Sequence, residues 1–217
     1  MIKGAIFDMD GTLLDSMPAW RSIASRYVKS LGMIPQKGLD ERIRHKSMAE
    51  AAEYINLHHK LQKTPEQIQN GVIEAMAQFY ENEVVCKPGI EKFLHQLKER
   101  GVKLCIATAT DRPLVKLALE RTNITHYFDA IFTCSEVGRG KATPDIYEQA
   151  LAFLGTKKQE TYVFEDASYA AATAHRAGFP VVAIYDKYEP EQKVIKKLAR
   201  FYVEDTLDLA DFITELF

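Results

Sequence analysis

Several residue types and patterns that define protein classes are scarce or missing in this sequence. Its three cysteines, Cys86, Cys105 and Cys134, are far apart and form no CxxC pair, which argues against a zinc ribbon and a disulfide framework. No apolar run approaches the roughly 20 residues of a membrane-spanning helix. The acids Asp8 and Asp10 interrupt the first apolar segment, so we expect no signal peptide there. These absences predict a cytoplasmic protein with reduced thiols.

No charge of either sign dominates the chain. Lys and Arg together number 28, against 30 Asp and Glu among 217 residues, so the formal net charge is -2. A nucleic-acid groove or a surface for anionic lipids would need a basic excess. The sequence is 47% hydrophobic and 27% charged, which is typical of a globular protein with a sizeable core. We expect a monomer with neither a nucleic-acid nor a membrane partner.

What the sequence does contain is an alternation of apolar runs and amphipathic segments. Short runs rich in Val, Ile and Phe predict buried strands over 2–7, 102–108, 130–133, 161–165, 180–185 and, at an edge, 200–204. Helical patterns lie over 89–101, 112–123, 144–155, 168–178 and 207–217. This alternation predicts an α/β fold, a Rossmann-like parallel sheet with helices on both faces.

Residues 16–84 break this alternation. They contain no convincing strand but two long helical patterns, MPAWRSIASRYVKSLG and TPEQIQNGVIEAMAQFYEN. A segment of this length is too long for an ordinary crossover between parallel strands. We therefore predict a Rossmann-like catalytic core of residues 1–15 and 85–217, with an inserted α-helical cap domain of residues 16–84 over the end of the sheet.

Polar and charged residues follow successive predicted strands at their carboxyl ends, where ligands bind in an open parallel sheet. They are Asp8 and Asp10 after the first strand, Thr108 at the second, Lys141 after the third, and Glu165 and Asp166 at the fourth. Carboxylates packed this closely repel one another unless a cation lies among them, and oxygen donors without Cys or His favour Mg²⁺. A lysine and a hydroxyl beside such a metal predict a phosphate ligand.

Each of these residues also has an ordinary structural interpretation when taken alone. Asp-Gly is a common turn dipeptide, an acid after a strand is often a helix cap, and a single lysine is usually exposed. Their occurrence at successive strand ends favours the chemical interpretation. In phosphoryl transfer through an aspartyl phosphate, Asp8 can act as nucleophile and metal ligand, and Asp10 as proton donor.

Four motifs, FDMDGTLLDS, LCIATAT, GKATPD and FEDAS, follow one another along the chain. They resemble the four motifs of the haloacid dehalogenase (HAD) superfamily, in the helical-cap branch of β-phosphoglucomutase-like proteins and sugar-phosphate phosphatases. The resemblance implies that Asp8 attacks phosphorus while Asp10 protonates the leaving group and then activates water. It implies a phosphate-binding set of Thr108, the backbone N–H of Ala109, and Lys141. It implies a metal-binding set of Asp8, the backbone carbonyl of Asp10, Asp166, and Glu165 as a ligand or a ligand's partner.

The chain departs from this family pattern at three positions. Ala142 replaces the usual Pro after the lysine, and Ala167 replaces the usual Ser of the fourth motif, with Ser168 one place later. Trp20 stands where β-phosphoglucomutases carry a His, which favours a phosphatase over a sugar mutase. We expect substrate contacts from the cap residues Met17, Trp20, Arg44, His45 and Lys46, although an aromatic residue at helical spacing, as Trp20 is, more often belongs to the packing of the cap.

The expected reaction is Mg²⁺-dependent hydrolysis of a small phosphorylated metabolite, a sugar or polyol phosphate. A phosphomutase stays open as an alternative, as does a phosphonate hydrolase that would use Lys46 to form a Schiff base. A dehalogenase is disfavoured, because dehalogenases of the superfamily lack the second aspartate that this chain has at Asp10. A protein that binds a phosphate ligand without catalysis is the alternative from a different class.

Overall fold

The computed structural model describes residues 1–43 and 46–217. It forms two compact units, one of Met1–Asp15 and Val85–Phe217 and one of Ser16–Val84, which we call the core unit and the helical unit. Within the described residues, no helix combines the length and the apolar character that a bilayer crossing requires. Cys86, Cys105 and Cys134 are free thiols.

A six-stranded parallel sheet forms the centre of the core unit. Its strands are β1 (Gly4–Phe7), β2 (Lys103–Thr108), β3 (Ala130–Thr133), β4 (Thr161–Glu165), β5 (Val181–Ile184) and β6 (Phe201–Val203). They lie in the order β3-β2-β1-β4-β5-β6, and every neighbouring pair is parallel. The predicted α/β class is confirmed, and each predicted strand is present with β6 at an edge.

The helical unit contains helices and no strand in its described residues. They are α1 (Met17–Trp20), α2 (Ile23–Ser30), α3 (Leu39–Ile43), α4 (Met48–His59) and α5 (Pro65–Asn82). α5 begins where the Thr64 side chain accepts the N–H of Gln67 and the Gln67 side chain accepts the N–H of Thr64. The buried apolar side chains of α2, α4 and α5 form the centre of this unit, among them Ala24, Val28, Ala52, Ile55 and Ile68.

The first predicted helix of this segment is interrupted at residues 21–22, between α1 and α2. The Ser22 hydroxyl donates a hydrogen bond of 2.7 Å to the carbonyl of Pro18. A serine side chain that bonds a backbone carbonyl competes with the regular helical hydrogen bonds. The apolar periodicity predicted one continuous helix because it carries no information about this local competition.

Seven helices belong to the described core unit. They are α6 (Ile90–Glu99), α7 (Arg112–Thr122), α8 (Cys134–Val137), α9 (Asp145–Leu154), α10 (Ser168–Arg176), α11 (Gln192–Leu198) and α12 (Leu209–Phe212). The helix predicted over 207–217 is instead α12 between two 3₁₀ turns, Thr206–Asp208 and Ile213–Leu216. The Thr214 hydroxyl donates to the carbonyl of Asp211 at 3.0 Å, which again competes with a regular helix.

Both faces of the sheet are buried. Ile6 and Val163 are paired in register and pack with buried residues of α9 and α10. Their chain neighbours Phe7 and Phe164 point to the opposite face, because successive side chains of a strand alternate. These two rings stack with centroids 4.3 Å apart, and both contact Phe93 of α6. Full burial of a phenylalanine contributes about 1.5–3 kcal/mol, so this layer of rings stabilises the packing of α6 on the sheet.

The two stretches of the core unit that adjoin the helical unit lie side by side. Residues 13–15 and 85–87 are joined by backbone hydrogen bonds of 2.8 and 3.0 Å. Leu14 and Cys86 form an antiparallel bridge between them. We call these two paired stretches the neck.

Candidate active site

The carboxyl ends of β1 and β4, and the loop before α9, bring together four charged side chains. Asp8 directly follows β1, Glu165 ends β4, and Asp166 is next to it. Lys141 lies in the loop between α8 and α9 and is not a surface lysine, since it is only 4% exposed. The other three are between 1% and 8% exposed, so all four charges are buried.

Lys141 forms ion pairs with two of these carboxylates. Its Nζ donates to Asp8 Oδ1 and, at 2.5 Å, to Glu165 Oε1. The hydroxyl of Tyr147, a buried residue of α9, donates to the same Glu165 oxygen at 3.0 Å. Glu165 is therefore held from two sides, and it holds Lys141 against Asp8. Strand-end reasoning did not identify Tyr147, which lies inside a helix and has no motif signal of its own.

Three carboxylates of this group are close enough to share a metal ion. Asp8, Glu165 and Asp166 each offer an oxygen, and these oxygens lie within 4.8 Å of one another. The set contains no sulfur or imidazole donor, which fits a hard divalent cation that prefers oxygen ligands. The Thr12 hydroxyl donates to Asp166 Oδ1 at 3.0 Å and so orients that carboxylate. Gly11, with φ +85°, makes the turn that brings Thr12 there.

Burial controls the protonation of these groups in the metal-free protein. It raises the pKa of Asp8 to about 7, even though the neighbouring Lys141 lowers it. Burial and the charges of Asp8 and Glu165 raise the pKa of Asp166 well above its usual value. For Lys141, burial disfavours the ammonium, but Asp8 and Glu165 outweigh that effect and raise its pKa. A cation among the carboxylates would relieve the repulsion that these shifts express.

The end of β2 contributes two threonines, Thr108 and Thr110, and the second of them bonds Asp10. Thr108 is buried, and its Oγ1 accepts the N–H of Thr110 at 3.1 Å. The Thr110 hydroxyl donates to Asp10 Oδ2 at 2.7 Å. Ala109, between the two threonines, is exposed. Thr110 was recognisable from its place after a strand, but nothing in the sequence pairs it with Asp10.

A second lysine lies near Asp166 of this cluster. Lys87 of the neck donates to the carbonyl of Tyr185 at 2.9 Å and to Asp186 Oδ2 at 3.1 Å, after the end of β5. The negative charge of Asp186 adds to the rise in the pKa of Asp166, and the positive charge of Lys87 opposes it. This pair was not predicted, because Lys87 lies in no motif.

The serine of the altered fourth motif bonds two glutamates that precede α11. The Ser168 hydroxyl donates to Glu191 at 3.1 Å, and its N–H donates to Glu189 at 3.1 Å. Both acids precede or begin α11. The serine that stands one place late therefore ties the start of α10 to the loop after β5.

The residues expected from the helical unit are described within that unit. Met17 and Trp20 are half-buried in α1, and the Trp20 Nε1–H donates to the hydroxyl of Tyr80 in α5 at 3.0 Å. Lys46 is exposed, with its Nζ 5.9 Å from the centre of the Tyr54 ring. The expected residues Arg44 and His45 lie outside the described residues.

Comparisons with known proteins identify the family to which the chain belongs. The model of the family "Haloacid dehalogenase-like hydrolase" matches residues 5–184. Hexitol phosphatase A of Escherichia coli (strain K12) is 30% identical over 196 residues, which cover 84% of this chain and 82% of that protein. Phosphorylated carbohydrates phosphatase of Thermotoga maritima is 27% identical over 177 residues, 82% of each chain.

A solved structure shows the same fold over the full length. A crystal structure from Thermotoga maritima, provisionally described as a beta-phosphoglucomutase, has a TM-score of 0.87, covers 100% of both chains and is 23% identical. The family and enzyme class predicted from the motifs are confirmed. With its family model matched over residues 5–184 and relatives named phosphatases spanning most of its length, the chain belongs to the haloacid dehalogenase-like hydrolases, as a phosphoric monoester hydrolase.

Proposed function

We propose that this protein is a Mg²⁺-dependent phosphatase that hydrolyses a small phosphorylated metabolite, a sugar or polyol phosphate, through an aspartyl phosphate on Asp8. One observation carries the proposal: the buried Asp8 carboxylate is bonded to the ammonium of Lys141 and lies within 4.8 Å of oxygens of Glu165 and Asp166. Relatives named for hexitol phosphates and phosphorylated carbohydrates support the substrate class.

Mg²⁺ would be held by the carboxylates of Asp8 and Asp166 and by the backbone carbonyl of Asp10. When bound, the ion neutralises charge on the phosphoryl oxygens and keeps Asp8 ionised. We propose that Glu165 positions Lys141 and does not bind the ion directly, because its Oε1 already accepts hydrogen bonds from Lys141 and Tyr147. The free thiols of the chain are in keeping with the reducing cytoplasm in which we place the enzyme.

Binding of the transferring phosphoryl group falls to Lys141, Thr108 and the backbone N–H of Ala109. Lys141 neutralises phosphoryl charge during transfer, and such a preorganised partner typically contributes 10²–10³ in rate. The Thr108 oxygen accepts the N–H of Thr110, so its own O–H can donate to a phosphoryl oxygen. The exposed position of Ala109 leaves this turn accessible to a ligand from solvent.

Asp8 attacks phosphorus and Asp10 protonates the leaving oxygen in the first step. In the second step Asp10 removes a proton from water, which attacks the aspartyl phosphate, and phosphate leaves. The two carboxyl groups differ in environment as these roles require: Asp8 is paired with Lys141, and Asp10 accepts from the neutral hydroxyl of Thr110.

Substrate choice is assigned to the helical unit, which we propose acts as a cap. Met17, Trp20 and Lys46, together with Arg44 and His45, are the proposed contacts. The Trp20 indole is anchored to Tyr80, which would present its ring in one fixed orientation. A fixed aromatic face suits the apolar side of a sugar or polyol.

Phosphate release from a panel of sugar, polyol and nucleotide monophosphates tests this proposal, with Mg²⁺ or a chelator, for wild type and Asp8→Asn. We expect turnover that needs Mg²⁺, falls at least 10³-fold in Asp8→Asn and is fastest with sugar or polyol phosphates. Undiminished turnover in Asp8→Asn would contradict the mechanism. Isomerisation of a sugar 1-phosphate to its 6-phosphate without phosphate release would instead identify a mutase.

A further inference from the structure

Thr110 has no role of its own in the proposed chemistry, although its side chain contacts the proposed general acid. Its hydroxyl donates to Asp10 Oδ2 at 2.7 Å, across a separation of 100 residues in sequence. Thr110 is only 7% exposed. A hydroxyl that is shielded from water and joined to a carboxylate orients that carboxylate more strongly than an exposed one would.

The backbone of the same residue is fixed as well. The Thr110 N–H donates to Thr108 Oγ1 at 3.1 Å, so residues 108–110 form a closed turn at the end of β2. Thr108 is itself 1% exposed and belongs to the central sheet. The position of the Thr110 hydroxyl, and through it the orientation of Asp10, is therefore set by β2.

We propose that Thr110 is a positioning residue that fixes Oδ2 of Asp10 as an acceptor, so that Oδ1 carries the proton exchanged with the substrate. The inference rests on the proposed function, in which Asp10 is the general acid and base. A carboxylic acid has one O–H, and an oxygen that accepts from a neighbouring hydroxyl is the oxygen that keeps its lone pairs.

The two steps balance with this assignment. In the first, the bond from Asp8 to phosphorus forms and the bond from phosphorus to the leaving oxygen breaks, while the Oδ1 proton of Asp10 passes to that oxygen. In the second, water bonds to phosphorus and the bond to Asp8 breaks, while a water proton returns to Oδ1. Thr110 keeps its own proton throughout.

A dependence on the leaving group separates this role from general support of the fold. An alkyl phosphate has a basic leaving oxygen that must be protonated, whereas p-nitrophenolate leaves without that help. The value of kcat/KM reports the first step for both substrates. For Thr110→Val we expect a loss of about tenfold with the fastest alkyl phosphate of the panel and less than about threefold with p-nitrophenyl phosphate. Thr110→Ser should restore both values to within about twofold.

Two further threonines serve as comparisons. Thr12→Val removes the hydroxyl that orients Asp166, so it should reduce kcat/KM equally for both substrates. Thr122→Val, at the end of α7 where the hydroxyl bonds the Ala118 carbonyl, should change neither.

Equal losses with both substrates in Thr110→Val, or no loss at all, would overturn the proposal. Should Thr110→Val not fold, Thr110→Ala makes the same comparison without the branched side chain. A failure of the proposed function would look different, because Asp8→Asn would then keep its turnover with p-nitrophenyl phosphate.

Discussion

The buried charged side chains at the strand ends of the core unit contrast with one buried hydroxyl in the helical unit. At the strand ends of the core unit, Lys141, Glu165 and Tyr147 are each held by a charged or polar partner. In the helical unit, the residue Tyr27 is only 2% exposed, and its hydroxyl bonds none of the described residues. The first unit therefore keeps buried charges in a fixed arrangement, and the second is held chiefly by apolar packing.

The unpartnered hydroxyl in the helical unit follows from how the ring is packed. Tyr27 lies against Gly71 of α5, and a Cβ at Gly71 would come within 2.3 Å of the Tyr27 ring. The glycine permits this close approach, so α2 and α5 gain apolar contact while the hydroxyl loses water. A buried hydroxyl without a partner costs roughly 1–3 kcal/mol. The charged side chains at the strand ends of the core unit avoid this cost through their hydrogen bonds, which suggests that their arrangement is maintained for chemistry. Elsewhere in the same unit, Gln96 Oε1 is buried without a partner among the described residues.

The largest expected effect comes from removing the central cation of the core unit. Lys141→Gln should lower kcat/KM by about 10²–10³, because a neutral amide cannot balance the phosphoryl charge. Lys98→Gln is the matched control: its partner Asp129 and Lys98 itself are both about one third exposed, so activity should be unchanged. Steady-state phosphate release measures both. A loss below tenfold in Lys141→Gln would show that the buried ion pairs of Lys141 with Asp8 and Glu165 serve the structure and not the reaction.

A second prediction concerns pH and Mg²⁺ in the core unit. Burial raises the pKa of Asp8 to about 7 from its usual 3.8, so between these values the folded metal-free protein binds a proton that the unfolded chain releases. This contribution to stability is present at low pH and is lost as the pH rises through about 7. Mg²⁺ must displace the proton, so the rise in Tm on adding Mg²⁺ should grow from about pH 5 to about pH 8. Thermal unfolding at several pH values measures it, and a rise in Tm that does not depend on pH, or that persists in Asp8→Asn, would contradict it.

The same substitution made once in each unit gives the smallest and most direct comparison. Tyr147→Phe removes a hydrogen bond to a carboxylate, so we expect a loss of roughly 1–2 kcal/mol in the free energy of unfolding and several-fold in kcat/KM. Tyr27→Phe removes a hydroxyl that forms no hydrogen bond with any described residue. We therefore expect the free energy of unfolding to stay the same or to rise by up to about 1 kcal/mol, with unchanged kcat.

Urea unfolding and steady-state kinetics measure both tyrosine variants. If Tyr27→Phe were the more destabilising of the two, the contrast between the units would be wrong. Equal effects would mean that the hydrogen bond from Tyr147 to Glu165 contributes little to the free energy of unfolding or to kcat/KM.

The sequence was most informative where a residue's place in the fold decides its role. Continuous apolar runs predicted the strands. The rule that ligands bind at the carboxyl ends of the strands then predicted that Asp8, Lys141 and Asp166 lie at one edge of the sheet. The contacts of Tyr147 and Lys87 were beyond this reasoning, since they depend on how a helix or a loop packs against the sheet. The interruption of the first helix at Ser22 depends on one side-chain hydrogen bond, which hydrophobic periodicity does not record.

The neck has a consequence for how the chain can be shortened. The stretches 13–15 and 85–87 are paired through one antiparallel bridge, so the ends of the segment between them lie about 5 Å apart. A tight turn of two residues spans such a gap. Residues 16–84 are therefore equivalent to a long insertion in the turn of a hairpin. A short turn in their place would join the two parts of the core unit, which contain every residue that we assign to phosphoryl chemistry.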